Sequence, residues 1–161
     1  MPHPRMAVTA APLSLDDLTA SVASAVTGPI GAFASFVGVV RSENAGRTVS
    51  VLEYEAYEPL AVNAFERVEA EALAAWPGVT LGIWHRTGRL EIGEASIAIV
   101  AASAHRAEAL AACRYAIERV KQIAPVWKHE HFDGGEVWIE GATADPDDLD
   151  AREEARRRAC V

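Results

Sequence analysis

The strongest constraint on the fold is a proline that separates a helical sequence pattern from an extended one. Pro125 lies inside the segment KQIAPVWK, residues 121–128. A proline has no N–H to donate, its ring collides with the preceding helical turn, and it disfavours helical geometry in the residue before it. A helix that approaches this position must end before Pro125. This predicts Lys121 in its last turn and Lys128 on the extended segment that follows.

Lys121 and Lys128 are therefore expected near one reversal of the chain, beside Trp127 and several apolar residues. An ammonium group in such surroundings can serve as an acid, a base or a clamp for an anion. Two solvated lysines on either side of a helix end are the simpler interpretation, because most lysines are exposed and unreactive. The spacing alone favours the simpler interpretation.

Apolar periodicity predicts two long helices, one from Pro59 to about Trp76 and one from His105 to about Ala124. Glu71 is expected to lie outside the apolar face of the first helix. The predicted apolar faces consist of Ala61, Phe65, Val68, Ala72 and Trp76 in the first helix and of Leu110, Cys113, Ile117, Val120 and Ala124 in the second.

A short helix is predicted near the start of the chain, with Ser14 as a plausible N-cap. Apolar and alternating runs after it predict strands. The predicted strands cover residues 31–41, 49–57, 79–86, 95–102, 126–132 and 136–140. Gly38 inside the first of them indicates a bulge or a close backbone approach. Asp133, Gly134 and Gly135 would close the last two strands into a hairpin. The pattern predicts an α+β domain with a mostly antiparallel sheet and two long helices.

The composition of the 161 residues fits one globular domain, because half of them are apolar. The predicted organisation is an N-terminal tail at 1–12, the domain at 13–141 and a charged, helical C-terminal tail at 142–161. No apolar run reaches the roughly 18 residues that a membrane-spanning helix needs, and residues 1–14 lack the apolar stretch of a secretory signal, so a cytoplasmic location is expected. The net charge of -8 disfavours nucleic acid as a partner.

The spacing of the cysteines and histidines gives little support for a metal site or a disulfide. Cys113 and Cys160 have no CxxC partner, so neither a zinc site nor a structural disulfide is expected from them. His129 and His131 lie two residues apart on a predicted strand and so share a face. A metal pair there is conceivable, but no third ligand is evident and a surface pair is favoured. The chain is expected to use no metal and no cofactor.

Two further groups of basic residues could bind an anion. Arg41 ends an apolar strand, and His105 with Arg106 begins a helix whose free N–H groups and dipole favour anions. The alternatives are a surface arginine, and a helix start at which Ser103 is an ordinary cap.

Several segments together resemble the large, catalytic subunit of molybdopterin synthase, the MoaE family. They are GAFASFVGVVR, YEAY, IWHRTGRLEIGE, SAHR and KQIAPVWKHE with the tryptophan-bearing strand after it, and they follow the family's order from about Gly31 to Glu140. Each piece is weak alone, whereas SAHR followed at this distance by K-x-x-x-P-x-W-K is specific. The resemblance implies an α/β hammerhead fold.

The resemblance also implies an activity and partners. The family converts cyclic pyranopterin monophosphate (precursor Z) into molybdopterin by adding two sulfurs that form a dithiolene. Sulfur arrives as a thiocarboxylate on the C-terminal Gly-Gly of a small ubiquitin-like carrier subunit, whose tail enters a pocket of the large subunit. Two large subunits form the homodimeric core of a heterotetramer, with one carrier at each end.

By the same resemblance, particular side chains acquire roles. The matched residues are the catalytic Lys121 and Lys128 and the substrate-binding Arg41, Phe36, His105 and Arg106. In the family the histidine–arginine pair reaches the pocket from the neighbouring protomer, so a dimer would be needed. The C-terminal tail departs most from the family, and its arginines cannot be aligned.

Two other functions are open. A non-catalytic module that binds a ubiquitin-like tail could dispense with Lys121, His105 and Arg106, but all three are present. An RNA-binding α+β domain is disfavoured by the acidic charge and by the lack of aromatic residues clustered on a basic strand.

Overall fold

The computed structural model describes residues 3–160, with the backbone alone for Glu140. Its strands are β1 (Met6–Thr9), β2 (Ala32–Val39), β3 (Glu43–Asn44), β4 (Arg47–Ala56), β5 (Thr80–Arg86), β6 (Gly88–Glu91), β7 (Ala95–Ser103), β8 (Val126–Phe132) and β9 (Gly135–Glu140). Its helices are α1 (Leu15–Ala25), α2 (Glu58–Ala75), α3 (Arg106–Ile123) and α4 (Leu149–Ala159). The fold is a mixed α/β architecture built on two sheets.

The first sheet has the strand order β1-β5-β7-β2. Strand β1 runs parallel to β5, whereas β5 and β2 are both antiparallel to β7. The interior strand β7 is almost wholly buried, because helix α3 packs on one of its faces and α1 on the other. This explains its continuous apolar sequence, since a strand covered on both faces has no solvent side to mark with polar residues.

The second sheet is centred on β4, which pairs with β3, β6 and β8, while β9 pairs with β8. The predicted hairpin is confirmed as β8 and β9, closed by Asp133 and by Gly134 at a φ of 97°. Strands β3 and β6 were not predicted. They have two and four residues, too few to show an alternating pattern.

The helix boundary at Pro125 is confirmed: α3 ends at Ile123 and β8 begins at Val126, which leaves Lys121 in the last helical turn. Ser14 caps α1 as predicted, its hydroxyl accepting from the amide of Asp17 at 3.2 Å. No helix of the described residues is long and apolar enough to cross a membrane.

Two predictions about helix faces are wrong. Leu110 was placed on the apolar face of α3 but is 63 % exposed, because this helix packs through small residues such as Ala109, Ala112 and Ala116. Glu71 was placed outside the apolar face of α2 but is buried, because Arg119 of α3 supplies an opposite charge there. Periodicity shows which face is apolar, but it does not show that a charge on that face has a buried partner.

The two ends of the chain also pack on the domain. Strand β1 lies within the segment 1–12 and joins the edge of the first sheet. Helix α4 lies within the segment 142–161 and packs on α3, burying Ala155 and Ala159. The proposed boundaries at residues 13 and 141 stay a prediction.

Candidate active site

A cleft of about 780 Å³ opens between the two sheets and the C-terminal half of α3. Four of the six predicted site residues line it: Phe36, Arg41, Lys121 and Lys128. They come from three separate parts of the chain, namely β2 and the residues after it, the end of α3, and β8. The fold therefore gathers in one cavity most of what the sequence offered as separate candidates.

Strand β2 supplies the aromatic and guanidinium groups of the cleft. Phe36 lies on the strand with its side chain partly exposed, and Arg41 follows the strand end. Between them, the pairing of β2 with β7 shifts register at Gly38, which confirms the predicted bulge. A Cβ at Gly38 would lie 2.8 Å from the Ile97 side chain and 3.4 Å from the Phe36 ring, so a larger residue would disturb this wall of the cleft.

The two lysines differ in their surroundings. Lys121 is exposed at the end of α3 and has no hydrogen bond or ion pair with any described residue. Lys128 lies on β8 with its Nζ 3.6 Å from Oε2 of Glu130. One lysine is thus free to meet a ligand, whereas the other is oriented by a carboxylate.

Glu130 is fully buried in the wall of the cleft. Its Oε2 accepts a hydrogen bond from Nδ2 of Asn44 at 2.8 Å, and its Oε1 lies 3.8 Å from a guanidinium nitrogen of Arg47. A buried carboxylate needs opposite charge close by, and here Lys128 and Arg47 provide it. The sequence does not single out Glu130, because Asn44 on β3 and Arg47 on β4, which neighbour it in space, are far away in the chain.

His85 and Tyr54 form an uncharged part of the lining. Their rings meet edge to face with centroids 5.1 Å apart. Burial lowers the pKa of His85 to about 4, and burial raises the pKa of Tyr54. The Nδ1 of His85 lies 2.8 Å from the carbonyl oxygen of Arg86, so a neutral ring donates from Nδ1 and keeps Nε2 as an acceptor. The segment IWHR, part of the family resemblance, was the signal that could have marked this histidine.

His105 and Arg106 are not part of the cleft lining. They begin α3, where His105 is the N-cap residue without a side-chain capping bond. Lys121 lies 15 residues further along the same helix, which corresponds to about 22 Å at 1.5 Å per residue. Within one chain, therefore, the histidine–arginine pair and Lys121 stand near opposite ends of a rigid helix.

The C-terminal helix adds a further cation to the cleft. Arg158 of α4 lines the cleft and makes an ion pair with Glu118 of α3 at 3.1 Å. With Arg41, Lys121 and Lys128 it gives the cleft four cationic side chains against the two acids Glu118 and Glu130. A positive cavity in a chain of net charge -8 is suited to an anionic ligand.

The candidate metal ligands lie elsewhere. Among residues 3–160, the group that could hold a metal ion consists of Glu53, His129 and His131. Alternation along β8 directs these two histidines to the face opposite Lys128 and Glu130.

Comparison with protein families gives a match over most of the chain. The family model described as MoaE protein matches residues 8–123. The molybdopterin synthase catalytic subunit of Pyrococcus abyssi is 46 % identical over 128 residues, covering 80 % of this chain and 84 % of the relative. The subunit of the same name from Homo sapiens is 38 % identical over 130 residues, covering 81 % and 68 %.

Solved structures agree with these relatives. Molybdopterin synthase from Staphylococcus aureus superposes with a TM-score of 0.77 at 33 % identity, covering 85 % of this chain and 98 % of that one. A chain from the complex of subunits 1 and 2 of the molybdopterin-converting factor of Helicobacter pylori superposes with a TM-score of 0.68 at 29 % identity, covering 84 % and 90 %.

Proposed function

Because the chain belongs to the MoaE protein family, we infer that it is the catalytic subunit of molybdopterin synthase, a sulfurtransferase of molybdenum cofactor biosynthesis. It transfers sulfur from the C-terminal thiocarboxylate of a small carrier subunit to cyclic pyranopterin monophosphate and so forms the dithiolene of molybdopterin. The observation that carries this function to particular residues is the cleft in which Phe36, Arg41, Lys121 and Lys128 come together.

The cations of the cleft suit an anionic substrate and an anionic sulfur donor. Arg41 would bind the phosphate of the pterin through charge-assisted hydrogen bonds. Lys121 would act as the general acid or base while the cyclic phosphate opens and oxygen leaves. Lys128, oriented by Glu130 at 3.6 Å, would stabilise the developing oxyanion or hold the terminal carboxylate of the carrier.

The sulfur would come from the partner and not from a cysteine of this chain. Cys113 is buried, and burial raises the pKa of its thiol to about 11, so a thiolate is disfavoured at neutral pH. A thiocarboxylate on the flexible Gly-Gly tail of the carrier could enter the cleft beside Phe36. The Helicobacter pylori complex of subunits 1 and 2 supports a second subunit as partner.

A second copy of the chain would complete the site. His105 and Arg106 lie about 22 Å along α3 from Lys121, so one chain cannot bring both ends to one phosphate. Strand β2 is at the edge of the first sheet and exposes the apolar side chains of Phe33, Val37 and Val39. An exposed apolar edge strand is a suitable dimer surface. We therefore expect a homodimer at the core of a heterotetramer.

The finer features of the family are proposed for this chain as well. They are the α/β hammerhead with a mostly antiparallel sheet and two long helices, and the organisation into residues 1–12, 13–141 and 142–161. A cytoplasmic location is proposed too, with neither nucleic acid nor membrane as partner.

A product assay tests the proposed function. The chain would be mixed with a thiocarboxylated carrier and cyclic pyranopterin monophosphate, and the dithiolene product would be measured. Lys121→Ala should lose turnover with an unchanged oligomeric state. Arg156→Ala removes an exposed cation of α4 outside the cleft lining and should keep the turnover of the parent.

The possible outcomes separate the candidate functions. Product from the parent and none from Lys121→Ala supports the assigned chemistry. Carrier binding without product from the parent would favour the non-catalytic binding module. Near-normal product from Lys121→Ala would contradict the role of that lysine.

A further inference from the structure

Two histidines of β8 lie between two carboxylates on the face of the second sheet opposite the cleft. The ring centroids of His129 and His131 are 4.2 Å apart. At one end, Oε2 of Glu53 lies 3.3 Å from Nδ1 of His129 and 3.1 Å from Nε2 of His131. At the other end, Oε2 of Glu136 lies 3.2 Å from Nε2 of His129 and 3.5 Å from Nδ1 of His131.

Strand register creates this arrangement. Glu53 of β4 stands opposite His129, and Glu136 of β9 stands opposite His131. The third ligand that the sequence did not reveal thus comes from a strand distant in the chain. We call these four residues the histidine cluster.

The nitrogen and oxygen atoms of the histidine cluster are close together but make few hydrogen bonds. Every ring nitrogen lies within 3.5 Å of a carboxylate oxygen, and the contact of Nε2 of His131 with Oε2 of Glu53 has the geometry of a hydrogen bond. Nε2 of His129 is buried without a hydrogen bond. Imidazole nitrogens and carboxylate oxygens grouped in this way are the donor set of a transition-metal site.

We propose that Glu53, His129 and His131 bind a divalent transition-metal ion of the Zn²⁺ class. Zn²⁺ takes imidazole nitrogen and carboxylate oxygen at about 2.0–2.2 Å, so ligands of a tetrahedral site lie about 3.3 Å apart. The separations from Glu53 Oε2 to the two nitrogens, 3.3 and 3.1 Å, are close to that distance, and all three ligand atoms lie within 4.8 Å of one another. The side chains of Glu53 and His131 are partly exposed, which leaves a coordination position for water.

Glu136 and Trp138 would support the metal ligands. A histidine that binds a metal through one nitrogen usually donates its other N–H to a carboxylate, which fixes tautomer and orientation. Oε2 of Glu136 lies 3.2 Å from Nε2 of His129 and 3.5 Å from Nδ1 of His131, the two nitrogens that the metal would leave free. The ring of Trp138 stacks on His129 at 4.2 Å with an interplanar angle of 11° and restricts its rotation. Glu136 is therefore a positioning residue.

Titration with the metal alone tests this site. Zn²⁺ would be added to the untagged, chelator-treated full chain and followed by calorimetry, and Co²⁺ would be followed by its visible absorption and by quenching of tryptophan fluorescence. We expect a single equivalent to bind and the melting temperature to rise with Zn²⁺. Glu53→Gln and His131→Ala should each lower the affinity at least about tenfold, and Glu136→Gln about 10- to 100-fold.

Two controls keep the result specific. Glu55→Gln is the same substitution two residues further along β4, outside the cluster, and should bind Zn²⁺ like the parent. Cys160→Ser removes the exposed thiol and should also bind normally. The proposal is overturned if the parent binds no Zn²⁺, or if the folded Glu53→Gln and His131→Ala proteins bind it as tightly as the parent. Either result would leave a metal-free cluster of ion pairs.

Discussion

Glu130 determines where the ammonium group of Lys128 lies. Three groups surround its buried carboxylate, and two of them, Lys128 and Arg47, are cations. Glu130→Gln keeps the shape but removes the charge, so Lys128 should lose its orientation. We expect product formation to fall strongly and the free energy of unfolding to drop by about 1–3 kcal/mol. Product assays and urea unfolding would measure both.

Glu66→Gln, which changes an exposed acid of α2, is the matched control and should alter neither quantity. A Glu130→Gln enzyme with unchanged turnover would show that Lys128 needs no orienting carboxylate.

His85 should make the fold sensitive to acid. Burial lowers its pKa from 6.5 to about 4 in the folded chain, so the unfolded chain takes up a proton first as the pH falls. The stabilisation is present above pH 6.5 and is lost between pH 6.5 and about 4. It amounts to about 3 kcal/mol at 1.36 kcal/mol per pH unit. His85→Asn, which keeps a donor towards Arg86, should lose less stability over this window.

Urea unfolding of parent and variant at matched pH values measures that difference. Parallel pH curves for the two proteins would contradict a buried neutral histidine.

Single residues also show which parts of the site can be predicted from the sequence. Pro125 fixed the positions of Lys121 and Lys128, because a backbone restriction acts locally. Glu130 and Glu53 could not be assigned, because their partners lie on neighbouring strands and depend on the register of β4 with β8. The effect of a single residue on the backbone can be predicted from a sequence. An interaction between residues on neighbouring strands can be assigned only once the fold is known.

At the scale of elements, a buried ion pair joins α2 and α3. Arg119 is fully buried and donates to both oxygens of Glu71, at 2.8 and 3.1 Å, and to the carbonyl of Pro146 ahead of α4. Burial by itself raises the pKa of Glu71, but hydrogen bonds from Arg119, Tyr115 and Arg67 outweigh it and lower that pKa below its ordinary value. The charged group is therefore retained in the core by its partners.

Removing Arg119 alone should cost more stability than removing both partners of this ion pair. Arg119→Met leaves the carboxylate of Glu71 without its buried cation and should lower the free energy of unfolding by about 3–5 kcal/mol. Adding Glu71→Leu should recover part of that loss, because no buried charge remains. Arg119→Lys should rescue little, since an ammonium cannot form the two-pronged contact. Urea unfolding would measure these changes, and strictly additive losses in the double variant would contradict the coupling.

The elements themselves were largely predictable, and the exceptions have a common cause. Long amphipathic helices and apolar strands such as α2, α3 and β7 can be predicted because their patterns extend over many residues. Strands β1, β3 and β6 have two to four residues and form because a neighbouring edge offers free backbone groups. Such strands depend on tertiary pairing, which no local pattern records.

At the scale of the whole molecule, the proposed site residues lie at the two ends of α3, so one cleft that used all of them would need two chains. If Lys121 of one protomer and Arg106 of the other serve the same cleft, a mixed dimer of Lys121→Ala and Arg106→Ala contains one intact site and one doubly damaged site. Each variant alone should be nearly inactive at limiting substrate. Random mixing makes half of the dimers mixed, so about a quarter of the parental activity should return.

The control follows from the same geometry. The control mixture combines Lys121→Ala with a double variant that carries both Lys121→Ala and Arg106→Ala. No dimer in this mixture has an intact Lys121, so no activity should return. A single chain that used its own Lys121 and Arg106 would give no recovery in either mixture, because every chain would carry a defect. Recovery in the first mixture alone therefore identifies a site shared between protomers. Such recovery would also explain how two groups of proposed site residues about 22 Å apart on α3 could serve one reaction.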